Sequence, residues 1–394
     1  MPEFFRSSKL AFNVLLVVLA VLSPIHAFQA RSGGTKVRVQ VPLGISESLW
    51  RRRIPRDNPL STEKIALGQA LYFDKRLSID GTVSCATCHD PALAFTDSRP
   101  IAVGGRDQRG TRNAPTILNA VFSEILFWDG RSRSLEDQAK HPLLSSFEMG
   151  MTSDKELVTR LSAIPEYQRR FKLVYKSEGL TIDTIAKAIA AYERTLLSGN
   201  SPFDRFITGQ KAAISDAQKR GWELFKGKAR CIECHKYSPE SPFFTDFEFH
   251  NTGAGAGNTA LDELVKMLSS STGSSRTELA HSAGFSELGR FAVSLKPADA
   301  GAFKTPTLRD LELTSPYMHD GSLRTLIDVV HFYNRGGNAN RYLDKRMQPL
   351  QLTDVEVNEL VQFLRALTSD DVLRQCQTTT PQTRAAVPFK PSSF

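Results

Sequence analysis

One five-residue string occurs twice in this chain, as Cys85-Ala-Thr-Cys88-His89 and as Cys231-Ile-Glu-Cys234-His235. C-x-x-C-H is the attachment signature of c-type haem. The two thiols add across the porphyrin vinyl groups, and the adjacent histidine ligates the iron from the proximal side. A structural zinc site fits these cysteines poorly. Its pairs are normally about 15–20 residues apart, whereas Cys88 and Cys231 are separated by a domain-sized stretch, and zinc leaves the histidine after each pair unexplained. A thioredoxin-like C-x-x-C needs a βαβ context, which is missing here. Two covalently bound haem c groups are therefore expected.

The remaining composition sets limits. With 394 residues and 41% apolar side chains, the chain can build two or three domains with sizeable cores. The net charge of +8 is spread along the sequence. That suits a basic surface facing an acidic redox partner, and no nucleic-acid motif accompanies it. Residues 1–27 read as a signal peptide. Arg6 and Lys9 form the positive region, and Leu10 to Leu22 forms an apolar stretch short for a membrane span. Ala27 is the cleavage candidate, although Ile25 is large for its place. If uncleaved, the segment is a membrane anchor. Export to the periplasm fits the haem motifs, because covalent haem is attached outside the bacterial cytoplasm. Cys376 is an odd thiol in a polar tail and has no assignable partner.

Helical periodicity dominates. Ser61 caps a helix to Phe73 that leads into the first haem motif, and Ser215-Asp-Ala-Gln218 caps one through Trp222 and Phe225 that leads into the second. Ser153-Asp-Lys-Glu156 and Thr353-Asp-Val-Glu356 read as further capping boxes. Thr181 to Leu197 carries an apolar stripe stopped by Gly199, and Leu326, Val329, Val330 and Tyr333 form another. Strand signals are few, with a brief alternation at Phe247 and Phe249. The fold class is mainly α, with two c-type cytochrome-like helical domains, each bearing one haem. Residues 50–205 and 206–370 are the expected domains, with the boundary near Gly199 to Gly209, where Pro202 interrupts the pattern. Residues 251–285 read as a flexible insertion, and 371–394 as a disordered tail.

Four further segments carry a resemblance: Arg112-Asn-Ala-Pro-Thr116, Phe127-Trp-Asp-Gly-Arg131, Phe303-Lys-Thr-Pro-Thr-Leu-Arg309 and Pro316-Tyr-Met-His-Asp-Gly321. Together with the haem motifs they resemble the bacterial di-haem cytochrome c peroxidase superfamily, which includes the MauG-type enzymes of methylamine utilisation. The resemblance runs in order over roughly residues 60–368. It implies a peroxide-reacting haem in the N-terminal domain and an electron-relay haem in the C-terminal one. In the cytochrome c peroxidases a methionine ligates the relay iron, fourteen residues after the histidine that matches His319. Tyr333 stands at that place, as a tyrosine does in MauG-type enzymes, with Met318 the nearest sulfur alternative. A phenolate oxygen favours ferric iron and lowers the potential. The bland reading makes Tyr333 a core residue of its stripe. The peroxidases also carry a distal histidine after the first motif. Asp90 to Arg112 contains none, which implies an open first iron.

The resemblance also assigns the chemistry. It makes Glu148 the acid–base residue for peroxide cleavage and Gln138 the amide that orients the peroxide, with Pro142 packed near the distal face. Trp128 matches the tryptophan between the haems, although a lone tryptophan is more often a core residue. Asn113, through its side chain, and Thr314 and Pro316, through their carbonyls, match the ligands of one calcium ion. His319 is expected to pack or hydrogen-bond near the second haem; His141, His250, His281 and His331 receive no role. The expectation is an exported, MauG-like di-haem peroxidase or oxidase that reacts with hydrogen peroxide. Its electron donor is a small cytochrome or an oxidisable residue of a partner protein. The alternatives are a conventional cytochrome c peroxidase and a di-haem electron carrier without peroxide chemistry.

Overall fold

A computed structural model describes residues 37–255, 258–273 and 282–379. The expected signal peptide, His281 and the tail from residue 380 lie outside them. Among the described residues the fold is mainly helical. The sheet found there is one antiparallel pair, Phe249–His250 with Phe303–Lys304. No helix among them is long and apolar enough to cross a membrane.

The architecture is one plan used twice. Each copy starts with a leading helix, Thr62–Phe73 or Asp216–Lys226, started by a serine whose hydroxyl accepts a backbone N–H three residues on. Each leading helix crosses a closing helix, Ile182–Glu193 or Asp354–Arg365, started by a threonine. Glycines make the crossings possible. A Cβ on Gly68 would overlap the Ala188 carbonyl and touch the Tyr192 Cβ; a Cβ on Gly221 would overlap the Glu359 carbonyl and touch the Phe363 Cβ. Both glycines sit inside helices, where they cost helix propensity, so close packing is the reason for them.

The loops repeat as well. Backbone with positive φ occurs at Phe95 and Phe244, at Asn119 and Asp310, at Phe127 and Met318, and at Gly130 and Gly321. Seven-residue turns are closed by the bridges Leu126–Ser132 and Tyr317–Leu323. They place Trp128 in one copy where His319 stands in the other. Asn119 Oδ1 accepts from the Ser198 N–H at 2.9 Å, and Asp310 Oδ1 accepts from the Ser369 N–H at 2.9 Å. Each of these tethers ties the segment after a haem motif to the stretch that follows its closing helix.

One apolar core, including Leu67, Leu71, Phe171 and Ile185, draws only on the first half, and another gathers Phe225, Phe244 and Phe363 of the second half around Phe203, which precedes the expected boundary. A third joins Trp50, Val121 and Phe122 to Phe243, and Phe122 stacks on Phe243 with ring centres 4.3 Å apart. Arg309, 2% exposed, forks onto Asp204 at 2.8 and 2.9 Å. A buried charge is tolerable only when so paired.

Several expectations need correction. Pro202 opens a short helix, Pro202–Ile207, since proline suits the first turn. The Thr181 stripe stays helical only to Glu193. At Ser153 half the capping box forms: its hydroxyl accepts from the Glu156 N–H, while the Glu156 carboxylate turns to Thr152 and Arg160. Within the expected flexible insertion, Asn258–Ser270 is a helix that buries Leu261, Val265 and Leu268. The expected disordered tail begins with a helix, Asp370–Thr378, which buries Val372 against the cluster containing Tyr72 and Phe95.

Gly68→Ala should destabilise the fold by about 1–3 kcal/mol or more, because the closing helix must retreat. Gly284→Ala is the control, since its Cβ meets nothing. Urea denaturation monitored by circular dichroism would show a lower midpoint for the first and little change for the second.

Candidate haem sites

Ser84 precedes a single helical turn, Cys85–Cys88, and Arg230 precedes the tighter turn Cys231–Glu233. Each turn points two thiols and one imidazole into a single cavity of about 970 Å³. All five cysteines are free of disulfides. Burial pushes the thiols of Cys85, Cys88 and Cys231 up, the latter two to about 12.

The histidines are set for iron. His89 Nδ1 lies 3.2 Å from the Phe95 carbonyl and His235 Nδ1 lies 2.9 Å from the Phe244 carbonyl. A carbonyl can only accept, so Nδ1 carries the proton and Nε2 keeps its lone pair for a metal. Burial holds both rings below the usual histidine range, in the neutral form that ligates. Both carbonyls belong to the positive-φ residues noted above. The Tyr72 hydroxyl adds a bond to the His89 carbonyl at 2.5 Å. These residues fit a covalent haem at each motif.

The other expected residues gather in the same cavity. Trp128, Gln138, Pro142, Glu148 and Tyr333 all line it, and so do Asn113, Thr314, Pro316, Met318 and His319. Tyr333 lies in the Leu326–Asn334 helix. Burial, with Cys234 and Cys231 adding to it, raises its phenol well above the usual range. Its hydroxyl makes no hydrogen bond among the described residues. Burial also raises the Glu148 carboxyl, against the pull of Arg131 and a hydrogen bond with Ser145.

Asn113 stitches the two equivalent turns together. Its carbonyl accepts the Trp128 indole N–H at 3.0 Å, and its own N–H donates to the His319 carbonyl at 2.8 Å. The Trp128 ring meets the His319 ring edge-on at 6.4 Å, and His319 stacks on Phe303 at 3.5 Å. The Asn113 amide nitrogen donates to the Arg99 carbonyl, and its side-chain oxygen has no hydrogen-bond partner among the described residues. That oxygen and nearby carbonyls are the type of donor set a hard cation takes.

Three features escaped sequence reasoning. His250 is held between Asp344 at 2.8 Å and Asp246 at 3.1 Å, with Arg346 beside it. Burial opposes its charge, but hydrogen bonds to Asp246 and Cys234 raise it to about 10. Cys234, Asp246 and His250 converge closely enough to hold a metal, but the Cys234 sulfur is committed to the haem motif and the ring to its carboxylates. Lys304 reaches into the cavity with its ammonium 3.2 Å from the Ser123 hydroxyl, and burial lowers it to about 8. Glu193 also faces the cavity. The Asp246–His250 spacing was the one local signal; the Asp344 and Ser123 contacts come from distant segments, and nothing in the sequence marks Glu193 as facing the cavity. Cys376, half-buried, lies 3.8 Å from the Pro91 carbonyl.

The fold and its paired motifs define a mainly helical protein with two c-type haem sites. A family profile described as di-haem cytochrome c peroxidase matches residues 62–212. Among curated proteins, the chain is 40% identical to the methylamine utilization protein MauG of Methylorubrum extorquens over 317 residues, covering 80% of this chain and 81% of that one. It is 37% identical to the cytochrome-c peroxidase IdrP1 of Denitromonas iodatirespirans over 363 residues, covering 91% and 93%. A crystal structure of a MauG-like protein associated with microbial copper homeostasis aligns with a TM-score of 0.71 at 30% identity, covering 90% of this chain and 98% of that one. The chain belongs to the di-haem cytochrome c peroxidase/MauG-like superfamily.

Mass spectrometry of the denatured, mature protein should find two porphyrins retained per chain. Replacing both Cys85 and Cys88 with serine should leave one, since thioether bonds survive unfolding. One porphyrin in the unaltered protein would contradict the paired assignment.

Proposed function

We propose that this protein is an exported MauG-like di-haem peroxidase. It is organised as a peroxide-reacting N-terminal haem domain, residues 50–205, and an electron-transfer haem domain, residues 206–370. Targeting by residues 1–27 would bring it to the periplasm. The observation that carries the reading is the cavity wall itself: two neutral imidazoles, a half-buried phenol by the second motif and a half-buried carboxyl by the first. When bound at His89, haem iron supplies the centre at which peroxide is cleaved.

The chain's residues do the rest. Glu148 takes the proton from the near oxygen of the peroxide and returns it to the far one; its raised pKa favours holding that proton. Gln138 orients the peroxide through its amide. Tyr333 would be a ligand of the second haem iron, and its oxygen, once the metal displaces the phenol proton, would hold the potential low. Trp128 carries oxidising equivalents between the sites. Its N–H is bonded to an amide carbonyl, too weak a base to remove the proton, so an oxidised indole keeps its charge and returns readily to the reduced form. Asn113, with the carbonyls of Thr314 and Pro316, would hold a calcium ion beside this relay.

The conventional peroxidase reading is favoured by the relatives named cytochrome-c peroxidase, at 36% and 37% identity. Stopped-flow titration with a reduced small cytochrome decides: rapid multiple turnover supports that reading, and near-zero turnover supports a residue on a partner protein as donor. Two closed low-spin irons by electron paramagnetic resonance would instead indicate an electron carrier.

Tyr333→Met should raise the potential of the second haem, read by spectroelectrochemical titration; an unchanged potential would show that Tyr333 is no ligand. Glu148→Gln should slow peroxide reduction by about two orders of magnitude. A rate equal to that of the unaltered enzyme would remove the assigned role.

A further inference from the structure

The glycine crossings set a register between the two halves. Gly68 touches Ala188 and Tyr192 where Gly221 touches Glu359 and Phe363, so the residue after Tyr192 matches the residue after Phe363. Glu193 therefore stands where the second half has Leu364, a buried core residue. Glu193 is 6% exposed, and its Oε2 has no hydrogen-bond partner among the described residues. It lines the haem cavity. An unpartnered buried polar atom destabilises a fold. The second half shows that a leucine suits this position, so packing argues against the carboxyl. Rule-breaking of this type is expected where chemistry needs it.

We propose that Glu193 is a second carboxylic acid of the first haem site, which stores a proton inside the cavity and delivers it during peroxide reduction. The inference rests on the reading that peroxide reacts at the His89 site. One hydrogen peroxide, two electrons and two protons give two waters. The electrons come from the one-electron donor. Glu148 only moves a proton from one peroxide oxygen to the other, so the net protons need another source. Glu193 gives its carboxyl proton to the oxygen being reduced to water, is reprotonated from the solvent side, and repeats the transfer for the second proton.

A polar seam lies behind it. Arg194 donates to Glu136 at 2.8 Å, and Glu136 also accepts from Asn58 at 2.6 Å. Glu136 opens on a charged surface depression shared with Asp57, Lys140 and Asp183. The titratable and charged groups around Glu193 are Tyr72 on the leading helix, Cys85 on the haem motif, Tyr192 and Arg194 on its own segment, and Glu136 on the Leu135–Leu144 helix. Cys85 is uncharged once it is a thioether. Burial raises the Glu193 carboxyl to about 8, with Glu136 adding to the rise and Arg194 opposing it. The acid is thus protonated at neutral pH.

The test uses the haem-loaded full chain with Glu193→Gln and Glu193→Leu. At neutral pH the unaltered protein should show the infrared carbonyl band of a protonated, buried carboxyl, sensitive to deuterium, and Glu193→Gln should lack it. Peroxide turnover with excess reductant should decline as pH rises through about 8, where Glu193 loses its proton. Both variants should lose that decline and turn over about a hundredfold more slowly. Glu193→Leu should keep or raise the melting temperature, which a merely structural carboxyl would not allow. With the unaltered protein active, an absent band, or turnover and pH profile unchanged in Glu193→Gln, overturns the proposal alone. An unaltered protein with no peroxide turnover overturns the function reading and the delivery step with it.

Discussion

An imidazole has one lone pair to offer a metal, and the hydrogen bond at its other nitrogen decides which nitrogen offers it. Here the choice is made by the backbone. The carbonyls of Phe95 and Phe244 take the Nδ1 protons of His89 and His235, from residues with positive φ that bulky side chains rarely adopt. That strained backbone is held by its surroundings. The tethers from Asn119 to Ser198 and from Asp310 to Ser369 hold the next segment against the closing helix. Gly68 and Gly221 let that helix come close. Removing any of these supports would act on the imidazole from a distance.

The two copies share this frame and differ in what they place on it. At equivalent turn positions one has Trp128 and the other His319, and the rings meet. At equivalent helix positions one has Glu193 and the other Leu364. Leu118 of the first copy answers to Arg309 of the second, which needs Asp204 as its buried counter-charge. The common parts are those that attach a porphyrin. The differing parts are mostly side chains that face the same cavity, so one scaffold presents two chemically unlike walls. Asn113 joins both by bonding the Trp128 indole and the His319 backbone.

Much of this was legible in the sequence. The haem motifs follow from covalent chemistry at fixed spacing, and the serine and threonine caps follow from orphan N–H groups. The gathering of Trp128, Glu148 and Tyr333 in one cavity was legible only through resemblance, since no local rule connects residues so far apart. The partners of His89 and His235 were not legible, because a backbone carbonyl leaves no trace in residue identity. The Asn258–Ser270 helix had its signal in Leu261, Val265 and Leu268, but Gly- and Ser-rich flanks outweighed it. Asp370–Thr378 offers only Val372 and Cys376 to the interior. On composition it resembles solvent-exposed chain; its start signals, the Ser369 cap and the aspartates Asp370 and Asp371 of the first turn, are easily passed over in a polar tail.

That last helix touches the opposite end of the protein. Val372 enters the cluster around Tyr72 and Phe95, and Gln375 donates to the Pro91 carbonyl, two residues beyond His89. The wall behind the first iron is thus finished by nearly the last described segment. During synthesis the amino-terminal motif emerges long before its cover does. The first half is completed only when that helix docks, so the two halves are not independent beads on a string.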